Sequence, residues 1–164
     1  MFEHVALFNN VVISGPQRSG TRIAAKIVAA DINKTFIDEK EINFHDFRLL
    51  EWYLQKNNVV IQCPALCHKL HEIKSPSTLI VIVRRPVEEI LDSERRKWDE
   101  VSRLQELYKY GYSEGIISRI KYEYWDTVQK PILGDRAGEI NFHELSTHQL
   151  YIDNRSEFKW DQTK

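Results

Sequence analysis

Glycine, hydroxyl and arginine residues are concentrated in one segment, Gly15-Pro-Gln-Arg-Ser-Gly-Thr-Arg22, between a short β-branched run and a helical pattern. A strand that ends in glycine and turns directly into a helix surrounds a concavity with backbone N–H groups, and the helix start adds its positive dipole end. Arg18 and Arg22 supply positive charge, and the hydroxyls of Ser19 and Thr21 can donate hydrogen bonds. We therefore expect this segment, the glycine loop (residues 15–22), to bind a phosphate or sulfate group.

The spacing of the two glycines in this loop matches the P-loop of nucleotide triphosphatases, which reads Gly-x-x-x-x-Gly-Lys-Ser/Thr. In that motif the lysine contacts the β- and γ-phosphates, and the hydroxyl that follows binds Mg²⁺. Here those two positions hold Thr21 and Arg22. The substitutions argue against ATP-dependent phosphoryl transfer, and a P-loop nucleotide or nucleoside kinase is kept as an alternative prediction.

The run Gln-Arg-Ser-Gly-Thr-Arg at residues 17–22 resembles the 5′-phosphosulfate loop of the sulfotransferases that use PAPS, 3′-phosphoadenosine 5′-phosphosulfate. Those enzymes carry Lys or Arg, then Ser or Gly, then Gly-Thr, and use no metal. The arginine after the threonine is similar to the heparan-sulfate type. The resemblance implies PAPS as co-substrate, no metal, and Arg18 in the position of the catalytic basic residue. The implied PAPS contacts in this loop are Gly15, Gln17, Arg18, Ser19, Gly20, Thr21 and Arg22.

A second charged motif follows the most apolar predicted strand. It resembles the 3′-phosphate motif of the same family, Arg-x-Pro-x-(Asp/Glu)-x-x-x-Ser, with Arg84 and Pro86 in register. The serine position then holds Asp92, and Ser93 lies one residue later, about 100° further round a helix. The resemblance implies that Arg84 and Ser93 bind the 3′-phosphate. Counting from Arg85 instead brings Ser93 into register but not Pro86, so that register stays open.

A third motif, Lys40-Glu-Ile-Asn-Phe44, resembles the Lys-Glu-x-x-Phe segment of heparan-sulfate and related bacterial sulfotransferases. Transfer of a sulfuryl group to a hydroxyl or amine needs a base near the acceptor. The resemblance implies that Glu41 is this base, with His45 and Asp46 nearby as substitutes. The alternative is a charged loop in which Phe44 anchors the chain to the core.

Two cysteines and two histidines, Cys63, Cys67, His68 and His71, lie within nine residues. They could be interpreted as zinc ligands, but adjacent Cys67 and His68 rarely both reach one tetrahedral ion. We therefore predict no metal site and interpret Cys63 as a small buried residue at a strand end. Only two cysteines are present, which fits a reducing compartment better than a disulfide scaffold.

Short β-branched runs alternate with longer helical patterns along the chain, which is typical of an α/β fold with a mainly parallel sheet. We predict strands at 10–14, 35–38, 59–62, 78–83 and 139–142, and helices at 21–30, 44–56, from 86 to about 108, and 114–128, with Pro131 and Gly134 closing the last. Parallel strands bind ligands at their carboxyl ends, where the three motifs lie. The fold class is therefore a three-layer α/β/α arrangement of about five strands, similar to P-loop nucleotide-binding proteins.

Composition predicts one cytoplasmic domain over residues 1–164. The net charge of −1 disfavours a nucleic-acid partner, and no apolar run is long enough for a membrane span. The predicted function is sulfuryl transfer from PAPS to the hydroxyl or amine of an unidentified acceptor. A non-catalytic nucleotide-binding module is a further alternative, because Asp92 replaces the usual serine and the family's C-terminal glycine-rich loop is missing.

Overall fold

The computed structural model describes residues 1–42, 46–97 and 115–151, and within them five strands form one sheet. The strands are β1 (Asn10–Ser14), β2 (Thr35–Ile37), β3 (Val59–Gln62), β4 (Thr78–Arg84) and β5 (Ala137–Asn141). Neighbouring strands are parallel, in the order β2-β3-β1-β4-β5. The predicted parallel α/β sheet is confirmed, and β1 and β3 have the predicted bounds.

Helices cover both faces of this sheet. They are α1 (Thr21–Asp31), α2 (Phe47–Gln55), α3 (Val87–Lys97), α4 (Ile116–Tyr124) and α5 (Lys130–Leu133), with a π turn, Trp125–Gln129, between the last two. Val11 and Ile13 belong to the core beneath α1, whereas Val12 belongs to the core beneath α2, α3 and α4. This alternation makes a three-layer α/β/α fold. Within the described ranges, no helix combines the length and apolar character that crossing a bilayer requires.

Three predicted helices have different bounds in the structure. α2 is capped at Asp46, whose carboxylate accepts hydrogen bonds from the backbone N–H groups of Arg48 and Leu49. The helix predicted from 86 to about 108 is described at 87–97, and its remaining residues lie outside the described part. Pro131 does not close the last helix as predicted, because it lies at the start of α5, where a missing N–H costs little.

The π turn before α5 buries two side chains that link it to neighbouring elements. Gln129 is fully buried, and its amide donates to the Cys67 carbonyl (2.7 Å) and accepts from the His71 N–H (3.2 Å). The Trp125 indole N–H donates to Oε1 of Glu139 on β5 (3.0 Å). These bonds tie the turn to the segment after β3 and to the sheet edge, and so offset the poorer geometry of a π turn.

Glu139 accepts hydrogen bonds from three donors at this edge of the sheet. Arg84 donates from Nε to Oε2 (3.2 Å) and from Nη2 to Oε1 (3.0 Å), and Lys130 donates from Nζ (3.0 Å) in addition to the indole of Trp125. Arg84 also pairs with Asp126. Arg84, followed by Trp125 and Lys130, lowers the pKa of Glu139 to about 2, because each donor favours the ionised carboxylate.

Replacing Glu139 by glutamine should lower the free energy of unfolding at neutral pH by about 1–2 kcal/mol, after an allowance for solvent screening of an exposed carboxylate. The folded-state pKa lies below the usual 4.5. The stabilisation from the ionised Glu139 is therefore complete above pH 4.5 and is lost as the pH falls towards 2. Urea unfolding at a series of pH values should show the difference from the unsubstituted protein shrinking in acid. A difference independent of pH would contradict this, and exposed Glu51→Gln is the matched control.

Candidate nucleotide-phosphate site

The glycine loop leaves β1 through a backbone conformation that only glycine adopts easily. Gly15 has φ +150°, and a Cβ atom there would lie 2.7 Å from the Ser19 Oγ and 3.2 Å from the Val83 carbonyl oxygen. A side chain at this position would therefore push the loop away from β4. Gly15 therefore fixes the path of the loop backbone and forms no part of the exposed surface of the loop.

Gly20 places the start of α1 at the bottom of the loop. It is the N-cap residue of α1, with φ +97°. Because glycine has no side chain, Gly20 supplies no side-chain acceptor for the first-turn N–H groups of the helix. A Cβ atom on Gly20 would lie 2.4 Å from the ring of Phe142, which follows β5. Sequence reasoning gave Phe142 no role here, because this contact joins residues more than 120 positions apart.

The two hydroxyls of the loop have different partners. Ser19 is buried and its Oγ donates to the Pro16 carbonyl (2.7 Å), which closes the loop on itself. The Thr21 Oγ1 accepts from the Gln62 amide at the end of β3 (3.0 Å), so its own hydrogen can be donated to a ligand. Of the two, Thr21 is the hydroxyl suited to bind an anion.

Arg18 joins the glycine loop to α3. Its Nε donates to the Ser93 Oγ at 3.0 Å, and its carbonyl accepts from the Arg85 guanidinium at 3.0 Å. Burial, followed by the nearby charges of Arg85 and Arg96, lowers the pKa of Arg18. An anion between these groups would relieve the repulsion of the cations, so the cluster is suited to a phosphate or sulfate ligand.

Arg22, in contrast, has an acidic partner within the protein. Its Nε lies 3.0 Å from Oδ2 of Asp38, a buried carboxylate that follows β2, and its Nη2 donates to Oδ1 (3.4 Å). The Asp38 Oδ1 also accepts from the backbone N–H of Lys40 (3.1 Å). The pair positions the β2 end against the glycine loop.

The structure brings Arg85 towards Ser93 but does not bring Arg84 there. Arg84 is the last residue of β4, and its guanidinium is held by Glu139 and Asp126 at the sheet edge. Beyond it, the Tyr122 hydroxyl donates to the Val83 carbonyl (3.0 Å) and accepts from the Arg85 N–H (3.1 Å). The Tyr122 hydroxyl thus holds the backbone on both sides of Arg84, at the point where the side chains of Arg84 and Arg85 point in different directions. Of the two registers left open by the sequence, the structure favours counting from Arg85.

A cleft of about 880 Å³ opens above the glycine loop. Six predicted site residues line it: Gln17, Arg18, Gly20, Thr21, Arg22 and Ser93. Four do not: Gly15 and Ser19 lie beneath the loop surface, and Glu41 and Arg84 lie outside the lining. The lining also includes residues to which the sequence assigned no role, among them Glu39, Gln62, Phe142, His143 and Tyr151.

The acidic group on the β2–β3 side of this cleft is Glu39. The Glu39 backbone N–H donates to the Gln62 Oε1 (3.4 Å), which places Glu39 beside the hydroxyl of Thr21 that the same amide contacts. Glu41 is exposed and its carboxylate accepts from the Asp38 N–H (3.4 Å). In the turn after β2, Glu39 lines the cleft and Glu41, the base implied by the resemblance, does not. His45, a predicted substitute, lies outside the described residues.

The two cysteines are buried side chains behind the glycine loop. Burial raises the pKa of Cys63 to about 12, and burial also raises the pKa of Cys67. Both thiols are therefore protonated at neutral pH and are not reactive thiolates. His71 contacts the Gln129 amide. Within residues 1–42, 46–97 and 115–151, no group of three or more potential ligands is arranged to hold a metal ion.

No protein-family model and no curated protein matches the chain. Solved structures that it resembles include shikimate kinase from Acinetobacter baumannii in complex with shikimate, with 15% identity and a TM-score of 0.53 over 85% of this chain and 87% of that chain. A gluconokinase from Sinorhizobium meliloti 1021 has 13% identity and a TM-score of 0.49 over 82% of this chain and 83% of that chain. The first likeness agrees with the parallel sheet and the glycine loop: the chain has a P-loop-like α/β fold.

Proposed function

We propose that this protein binds PAPS in the cleft and transfers its sulfuryl group, without a metal, to the hydroxyl or amine of an acceptor. The observation that carries the proposal is the hydrogen bond from Arg18 to Ser93. It joins the two motifs that resemble the 5′-phosphosulfate loop and the 3′-phosphate site, which are 75 residues apart in sequence. Two separate resemblances that meet in one cation-lined cleft support a ligand with two anionic groups.

Each side chain of the cleft has a separate role in this proposed reaction. Arg85 and Ser93 hold the 3′-phosphate, and Thr21 with the first-turn amides of α1 holds the 5′-phosphosulfate. Glu39 takes the proton of the acceptor as the acceptor atom forms its bond to sulfur. The bond between sulfur and the bridging oxygen breaks, and Arg18 stabilises the negative charge that develops on the leaving 5′-phosphate. In this proposal Arg85 and Glu39 take the roles that the sequence alone suggested for Arg84 and Glu41.

A second candidate is a Mg²⁺-dependent kinase that transfers a phosphoryl group from a nucleoside triphosphate. The likeness to shikimate kinase over 85% of the chain favours this candidate. The residue types at the loop favour the first, since Thr21 and Arg22 occupy the positions of the P-loop lysine and of the magnesium-binding hydroxyl. The two candidates differ in the ligand and in the requirement for metal.

Thermal-shift and calorimetric titrations with two ligands separate these candidates. Adenosine 3′,5′-bisphosphate, tested in the presence of EDTA, should stabilise the protein by about 2–3 kcal/mol at a concentration 100 times its Kd. ATP should bind more weakly, with or without Mg²⁺. Stabilisation by ATP with Mg²⁺ and none by the bisphosphate would favour the kinase and overturn the proposal.

Two neighbouring arginines provide the matched variants for this titration. Arg85→Ala should weaken bisphosphate binding by about 10- to 100-fold, the effect of losing one charge-assisted contact. Arg84→Ala should reduce stability, because it removes the pairs with Glu139 and Asp126, and leave affinity nearly unchanged. Equal losses of affinity in both variants would contradict the register counted from Arg85.

A further inference from the structure

The cleft extends beyond the cationic cluster along the segment that follows β5. Phe142, His143, Ser146 and Tyr151 all line it, and none of them is needed for the phosphate contacts described above. A phosphate or sulfate group fills only a small part of about 880 Å³. The remaining wall therefore faces whatever part of the ligand is attached to its phosphates.

The ring of Phe142 is already enclosed by protein groups. One contact is with Gly20, and the Arg85 Cζ lies 4.1 Å from the ring centroid. Tyr151 meets Phe142 edge to face, with ring centroids 6.2 Å apart and planes at 68°. Phe142 therefore supports the phosphate loop, while Tyr151 extends the aromatic surface further along the cleft.

A hydrogen bond between His148 and Asp31 fixes the position of Tyr151 in the cleft wall. His148 and Asp31 are nearly buried and lie 2.7 Å apart, from Nε2 to Oδ1. The His148 Nδ1 accepts from the Leu150 N–H (3.1 Å), and the His148 carbonyl accepts from the Tyr151 N–H (2.9 Å). Because Asp31 is the last residue of α1, the helix that binds the phosphates at its start holds the aromatic segment at its end.

We infer that Tyr151 stacks on the base of the bound nucleotide and that the His148–Asp31 pair positions it for this contact. The inference rests on the proposed function only in taking the ligand to be a nucleotide. Aromatic side chains bind bases through their flat faces. In this protein the role falls to the segment after β5.

The test compares ligands with and without a base. In calorimetry at constant pH, Tyr151→Ala should weaken binding of adenosine 3′,5′-bisphosphate by about 5- to 100-fold, the range expected for one stacked base. It should leave pyrophosphate binding unchanged, and Tyr151→Phe should bind both ligands as the unsubstituted protein does. An equal loss for both ligands, or no loss for either, would overturn the inference.

His148→Ala tests the positioning role, because it removes the two hydrogen bonds of the imidazole ring, to Asp31 and to the Leu150 N–H. It should weaken bisphosphate binding by about 2- to 5-fold and add no further loss to Tyr151→Ala in the double variant. Additive losses would show that the two residues act separately and would overturn the positioning role. If the unsubstituted protein binds ATP and not the bisphosphate, ATP and tripolyphosphate replace the two ligands. In that case the proposal of sulfuryl transfer is wrong, and the comparison of ATP with tripolyphosphate still tests whether Tyr151 stacks on the base.

Discussion

Arg18→Ala should weaken binding of adenosine 3′,5′-bisphosphate by about 100-fold and slow sulfuryl transfer by at least as much. The guanidinium is half-buried and donates to Ser93, so its removal takes away a charge-assisted donor from the cleft. A fixed positive group beside a leaving phosphate contributes on the order of 3 kcal/mol to transition-state stabilisation. Calorimetry with the bisphosphate measures the binding effect, and release of the bisphosphate from PAPS with hydroxyl and amine acceptors measures the rate.

Two further variants separate the charge of Arg18 from its backbone. Arg18 has φ +65°, a conformation that glycine adopts more easily than alanine. Arg18→Gly should therefore lose the same affinity as Arg18→Ala and unfold at an equal or higher temperature. Arg48→Ala removes one exposed positive charge outside the cleft and should leave binding unchanged. Unchanged affinity and turnover in Arg18→Ala would refute the role given to this residue.

Gly20→Ala should lower the free energy of unfolding by about 2–4 kcal/mol and abolish anion binding. The added methyl group would lie 2.4 Å from a ring carbon of Phe142, and the φ of +97° is strained for alanine. To relieve both, either the start of α1 or the segment after β5 must move. Urea unfolding measures the loss of stability, and titration with the bisphosphate measures the loss of the site.

Gly134→Ala is the control for the backbone strain that alanine suffers at a positive φ, without a steric contact. Gly134 has φ +57°, and nothing lies within 4 Å of the position its Cβ would take. Its ψ of −124° is also disfavoured for alanine, so its replacement should cost about 1–3 kcal/mol from backbone strain alone and leave ligand binding intact. If Gly20→Ala binds the bisphosphate as well as Gly134→Ala does, the contact between Phe142 and the glycine loop is not the constraint described above.

The strands and the glycine loop could be predicted because their signals are local. β1 contains the β-branched apolar run Val11–Ile13, and Gly15 and Pro16 follow the strand where the loop begins. The order of the strands in the sheet could not be predicted, because it depends on which runs pair across long connections. Pro131 was misjudged for a related reason: the π turn that lets the helix continue is stabilised by Gln129 contacts to a distant segment.

The sequence identified most cleft residues of the glycine loop, but in the segments after β2 and β4 it did not show which acidic residue and which arginine line the cleft. The choice between Arg84 and Arg85 depends on the Tyr122 hydroxyl, which comes from a helix more than 30 residues later. The choice between Glu39 and Glu41 depends on the turn after β2, where Gln62 binds the Glu39 N–H. Contacts of this kind are tertiary, and no motif of eight or nine residues contains them.

The internal partners of two arginines affect how the site responds to ionic strength. Arg22 is balanced by Asp38, and Arg85 by Glu89 at 3.2 Å. The charge of these two guanidiniums is thus partly neutralised by carboxylates of the protein, so fewer small anions from solution need to leave them when a ligand enters. Added salt should then compete only modestly with the nucleotide. A cleft built in this way selects ligands by the geometry of its donors more than by a general attraction for polyanions.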